Sequence, residues 1–223
     1  MKRAPVFSLF VAPILFARFA SGAPIDAQDM KRILVLGDSL SDGFGLKRSE
    51  AYPALLANKL RAADLNFQVI NASQTGGTTE GGLERLPAHL KHKIDIFILE
   101  LGINDVFHSA SVDQIQDNLQ RMIDMVKARN PNVRVVIAGL QLPNGATEDY
   151  LSAFGKMFGE LASQNSAALV PNLLAGVAGN RSLSLPDGIH PNAAGQKILA
   201  ENVWRVLEPI ARQTAAEPAA HVR

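Results

Sequence analysis

Cysteine is absent from this 223-residue chain, which excludes disulfides, thiolate metal sites and a cysteine nucleophile together. An excess of either charge is also missing. The 22 Lys and Arg nearly balance the 21 Asp and Glu, so there is no overall basic field of the kind that nucleic-acid binding uses, and nucleic acid is not an expected partner. No internal repeat or low-complexity block interrupts the chain. The apolar run between Ala4 and Ala17 holds Pro5 and Pro13 and is too short to span a bilayer as a helix, so no stable membrane anchor is expected in the mature chain.

That run has another meaning. Lys2 and Arg3 precede it and the small residues Ala20, Ser21, Gly22 and Ala23 follow it, which is the order of a secretory signal. The expected organisation is a signal peptide over 1–23, a polar linker over 24–31, one domain over 32–212 and a frayed tail over 213–223. The expected location is outside the cytoplasm, periplasmic or secreted. The alternative is a shorter cytoplasmic chain that starts at Met30, directly before the first strand.

With 47% hydrophobic residues the chain can bury one sizeable core. Apolar runs at 33–36, 67–70, 94–101, 133–138 and 168–170 are expected strands. In the third of these only Asp95 and Glu100 are charged, which marks it as the central strand, covered on both faces. Helical spacing is expected over 49–60, capped by Ser49, over 112–128 and over 150–164. A last helix is expected to start at Pro191 and to turn Ala194, Ile198, Val203, Leu207 and Ile210 inward. Strands alternating with helices imply an α/β fold in three αβα layers around a parallel sheet of about five strands. Ligands of such sheets bind beyond the carboxyl ends of the strands.

The segments that follow the strands carry the chemistry. They include Gly37-Asp38-Ser39-Leu40-Ser41, Asn71-Ala72-Ser73-Gln74-Thr75-Gly76, Gly102-Ile103-Asn104-Asp105 and the late Asp187-Gly188-Ile189-His190-Pro191. A serine hydroxyl is a weak nucleophile until a base takes its proton and a third group fixes that base. Ser39, His190 and Asp187 are the candidates for these three roles, with Asp187 reaching Nδ1 across the Gly188 turn and leaving Nε2 for Ser39. An imidazole in water gains its proton near pH 6.5, so activity is expected to fall on acidification.

The four blocks, in this order, resemble the GDSL or SGNH hydrolase family, and within it the branch of bacterial arylesterases and multifunctional thioesterase/lysophospholipases. The resemblance spans about residues 32–211. It implies a flavodoxin-like fold and hydrolysis of short- to medium-chain carboxylic esters or thioesters through an acyl-enzyme on Ser39. Water is then the second substrate, and no cofactor or metal is needed. It further implies an oxyanion hole made by the backbone N–H of Ser39, the backbone N–H of Gly76 and the side-chain amide of Asn104. Two other functions use the same residues: removal of acetyl groups from carbohydrate, and catalytically silent binding of acyl or glycan ligands.

Some positions depart from the family pattern. Ile103 stands where a second glycine is usual, Gly77 stands where a polar residue is frequent, and Val106-Phe107-His108-Ser109-Ala110 replaces the usual loop on the substrate side. Phe107, His108, Leu142 and Tyr150 are candidate acyl-pocket residues, each of which could equally be ordinary packing. The segment around Ser39 lacks both the Gly-Lys-Ser/Thr ending of a phosphate loop and the Gly-x-Ser-x-Gly elbow. His89 and His92 have no third ligand nearby and read as a solvated helix end. Asp38 and Asp105 read as structural turn residues. Oligomeric state is not written in the sequence.

Overall fold

The computed structural model describes residues 30–142 and 145–217. The expected signal peptide and most of the linker lie outside the described residues, as does the end of the tail from 218. Five parallel strands form the sheet: β1 (Lys31–Gly37), β2 (Phe67–Asn71), β3 (Ile96–Glu100), β4 (Arg134–Ala138) and β5 (Ala168–Val170). Their order is β2-β1-β3-β4-β5, the flavodoxin-like arrangement. The chain leaves β1 for one edge and β3 for the other, so the loops after these two central strands diverge and open a crevice. Register places Gly37 opposite Glu100 at its rim.

Helices α1 (Ser39–Asp42), α2 (Tyr52–Ala62), α3 (Thr79–His89), α4 (Ile103–Phe107), α5 (Val112–Arg129), α6 (Glu148–Asn165) and α7 (Ala193–Ala216) fill the connections. α2 packs with α7 on one side, while α3, α5 and α6 pack in series on the other, so the expected three layers are present. α5 illustrates the local logic. Ser111 and Gln114 form a reciprocal cap at its start, and Ile115, Leu119, Met122, Ile123 and Val126 recur on its buried face. Fully burying each such side chain contributes about 2 kcal/mol.

Four boundaries differ from the sequence expectation. β1 starts at Lys31, taking over the end of the expected linker, because Lys31 and Arg32 pair in register with Phe67 and Gln68. Ser49 lies in a short 3-10 turn before α2, and no side chain caps that helix. Pro191 is buried and bridged to Ser184, so α7 starts two residues later with Asn192 as its cap, accepting from the N–H groups of Ala194 and Gly195. Its inward face is Leu199, Ala200, Val203, Leu207 and Ala211, whereas Ala194 is exposed. Finally, α7 runs to Ala216 with Thr214 buried, and Lys31 Nζ donates to the carbonyls of Thr214 and Glu217. The segment expected to fray from 213 is therefore helical up to that point. Among the described residues no helix is long and apolar enough to cross a membrane.

Candidate active site

Ser39 is held by what precedes it. β1 ends at Gly37, where a Cβ would run into Ser41 Oγ and the Glu100 carboxylate, so the chain turns into α1 without a side chain at that point. Asp38 caps the turn: its Oδ1 accepts from Leu40 N–H at 2.9 Å. Ser39 is then the first residue of α1 and is only 7% exposed. Among the described residues its backbone N–H donates to no acceptor, as expected for the first turn of a helix.

His190 reaches Ser39 from the far end of the chain, with Nε2 3.0 Å from Ser39 Oγ. Its Nδ1 lies 2.8 Å from Asp187 Oδ2. Gly188, at φ +71°, makes the turn that brings the carboxylate back to the ring. Asp187 Oδ1 accepts from Ile189 N–H at 2.9 Å and His190 N–H at 3.0 Å, and Leu185 N–H closes the loop on His190 O at 2.7 Å. Orienter and base thus form one rigid unit. The hydrogen bond from His190, followed by the two backbone N–H groups, lowers the Asp187 carboxyl to about 2, so it stays anionic throughout the ordinary pH range. On the ring's outer side Phe44 packs against His190, tilted at 38° with centroids 4.3 Å apart.

The other two loops bring the remaining donors. Gly76 sits at φ +75° with open space where a Cβ would be, and its N–H is also unpaired among the described residues. Asn104 Nδ2 donates to Asp38 Oδ2 at 3.2 Å and to Gly77 O at 3.0 Å. The amide is thereby tied to the Ser39 loop on one side and the Gly76 loop on the other. All five expected catalytic positions converge at the strand ends. A hydroxyl beside an anchored imidazole, with two free N–H groups and an amide nearby, can open a carbonyl carbon to attack and hold the charge on its oxygen.

Beneath this surface lies a polar layer that the sequence did not reveal as part of the site. Asp38 and Glu100 are both fully buried. Glu100 Oε2 accepts from Asp38 N–H at 3.2 Å and from Ser41 Oγ at 2.6 Å, and Ser41 Oγ in turn lies 2.7 Å from Tyr52 OH. Arg85 Nη2 donates to Gly37 O at 2.8 Å. Gly77 leaves room for that guanidinium, because a Cβ there would come within 2.9 Å of Nη2. The one available signal was Glu100, an acid at the end of an otherwise apolar strand. Asp105 is structural as expected, accepting from Thr79 N–H and Oγ1.

The pocket candidates are less closely gathered. Phe107 and His108 are exposed, Phe107 at 77%. Leu142 and Tyr150 are half-buried against the core, and Tyr150 OH donates to Ala110 O at 2.8 Å, which anchors the loop that carries Phe107. His89 is the last residue of α3. Among the described residues no group of three His, Cys, Asp or Glu could hold a metal ion.

Residues 35–198 match the GDSL-like lipase/acylhydrolase family, and the chain belongs to it as a serine ester hydrolase. It is 41% identical over 179 residues to the esterase TesA of Pseudomonas aeruginosa, covering 80% of this chain and 88% of that one. It is 34% identical over 179 residues to the thioesterase 1/protease 1/lysophospholipase L1 of Escherichia coli, covering 80% and 84%. A crystal structure of TesA superposes with a TM-score of 0.76 at 40% identity, covering 81% of this chain and 99% of that one.

Proposed function

We propose that this enzyme hydrolyses short- to medium-chain acyl esters and thioesters through a covalent acyl-enzyme. Ser39 Oγ attacks the acyl carbon while His190 Nε2 takes its proton. Asp187 holds the imidazole and offsets the charge that the ring acquires. The carbonyl oxygen, now anionic, is met by the N–H of Ser39, the N–H of Gly76 and the amide of Asn104. His190 returns the proton to the departing alkoxide or thiolate, and water repeats the sequence to free the acid. The observation that carries this reading is the unbroken line from Asp187 Oδ2 to His190 Nδ1 at 2.8 Å and from His190 Nε2 to Ser39 Oγ at 3.0 Å.

The acyl group is proposed to face Phe107, His108, Leu142 and Tyr150. The support is position: Phe107 ends α4 three residues after Asn104 and leaves an aromatic side chain 77% exposed there. Export is proposed from the basic start, apolar run and small residues of 1–23; the amino-terminal residue of the mature chain, read from fractionated cells, tests it.

The decisive experiment is a series of acyl chain lengths presented as aryl esters and as acyl-CoA, with Ser39→Ala as control and a fluorophosphonate probe as label. The expected result is turnover and labelling in the wild type and neither in the variant. Labelling or turnover that survives Ser39→Ala overturns the assignment.

A further inference from the structure

Two neighbouring acidic residues, Asp38 and Glu100, lie fully buried directly behind the nucleophile, and the hydrolytic step uses neither. Glu100 Oε2 takes the N–H of Asp38 and the hydroxyl of Ser41. Its other oxygen, Oε1, is buried and no donor reaches it. Were Glu100 ionised, that oxygen would be a buried anion with no hydrogen bond. The Asp38 carboxyl is the neighbouring group that opposes a charge on Glu100, and two carboxyl groups can share a hydrogen bond only if one of them carries a proton.

The surrounding charges do not support two anions. Among the described residues neither carboxylate has an ion-pair partner within 4 Å. Arg85, on α3, is the nearest cation, and its guanidinium is committed to Gly37 O at 2.8 Å and Ala72 O at 3.4 Å. Tyr52, on α2, offers a neutral hydroxyl through Ser41, and Asp105, on α4, adds further negative charge. Burial first, and then the neighbouring carboxylate, raise Glu100 well above the usual range; burial raises Asp38 to about 7.

We propose that Glu100 is a neutral acid whose proton on Oε1 is given to the Asp38 carboxylate, and that this one-proton pair is the positioning device for the oxyanion donors. Asp38 is bound at three points that matter to the site. Its N–H is fixed by Glu100, its Oδ1 fixes the first turn of α1 through Leu40, and its Oδ2 orients the Asn104 amide. One carboxylate and one acid place a single negative charge behind the forming oxyanion, where two would oppose it. The Asn104 bond to Asp38 is charge-assisted and holds, while the bond to the neutral Gly77 carbonyl yields its hydrogen to the substrate oxygen. Glu100 acts only through Asp38 and is a positioning residue.

The kinetic arm of the test rests on the assignment of Ser39 as nucleophile, but the spectroscopic arm does not. Infrared spectra of the intact protein at about pH 8, where ordinary carboxylates are ionised, are expected to contain the carbonyl stretch of one buried protonated acid. It should disappear in Glu100→Gln and persist in Ser39→Ala. Turnover in Glu100→Ala is expected to fall about tenfold with KM changed less than about twofold, since misplaced donors act on the transition state. Glu100→Gln, whose amide donates to Asp38 as the acid does, should restore most of that loss. Absence of the infrared band overturns the proposal, as does a Glu100→Gln enzyme no faster than Glu100→Ala, which would show that charge at this position is required. If Ser39→Ala kept full turnover, the nucleophile assignment would fall, and the infrared band would still decide where the proton resides.

Discussion

Asn104 is a residue whose removal acts through geometry already visible in the free enzyme. Its amide hydrogens go to Asp38 Oδ2 and Gly77 O, so Asn104→Ala deletes a donor without exposing a core. Loss of one preorganised donor costs about 3 kcal/mol in the transition state, and turnover is expected to fall about a hundredfold with the urea midpoint little changed. An unaltered kcat removes Asn104 from the oxyanion hole. Asp187 behaves differently with pH. Because its folded pKa is lowered from 3.8 to about 2, its contribution to stability is present above the unfolded value and is lost only as pH falls through that window. Asp187→Asn is expected to lower kcat by about ten-thousandfold without moving the onset of acid unfolding upward by more than its own window. Phe107→Ala tests the pocket: KM is expected to rise for longer acyl chains and to stay unchanged for acetyl esters. The residues proposed to meet the substrate carbonyl were legible because each sits in a short block with its turn residue beside it. Phe44 and Arg85 were not, since what they do is set by packing across loops far apart in sequence.

At the scale of elements the sequence was a good guide where apolar periodicity was uninterrupted. Helices α5 and α6 and the five strands fall close to their expected positions. Of α3 only the end was read, at His89 and His92; its body was missed, and the reason is local: Gly81, Gly82 and Pro87 all weaken a helix signal in eleven residues. The fold explains Gly82, where a Cβ would meet Leu101 Cδ1 at 2.6 Å and Met122 Sδ at 3.0 Å, so helix propensity is given up for close packing against α5 and the residue that follows β3. The start of α7 was displaced because Pro191 suits a first helical turn equally well, and only the bridge to Ser184 assigns it elsewhere. Gln196 on α7 shows how that helix supports the site. It is buried, its Oε1 accepts from Tyr52 N–H at 2.7 Å, and its Nε2 donates to Leu40 O at 3.0 Å. Gln196→Ala leaves two buried backbone groups unpaired, and a loss of about 3 kcal/mol is expected in urea unfolding. A loss below about 1 kcal/mol would mean that water replaces both bonds.

The whole molecule carries an electrostatic cost that the site imposes on the fold. Asp38 is raised from 3.8 to about 7 and Glu100 is raised well above its ordinary range, so the folded chain holds protons that the unfolded chain has released. The slope of stability with pH follows the protons bound unfolded minus those bound folded, which is negative here. Asp38 therefore makes the protein less stable as pH rises from about 4 to about 7, and Glu100 acts in the same sense. In the acid-to-neutral range three groups among the described residues act in the opposite sense. His89 is lowered by burial and by Arg85, so it loses stability on acidification below its unfolded value, while Asp187 and Glu201, both lowered, do so only at more acidic pH. A single melting curve mixes these effects, but a comparison separates them, because the three are common to wild type and Asp38→Asn. The variant removes one titrating carboxyl and relieves the pressure on Glu100. Its melting temperature is expected to rise relative to wild type as pH increases from about 5 to about 8, even though its turnover is lower. Parallel melting curves for the two proteins across that range would show that Asp38 neither retains a proton nor raises Glu100.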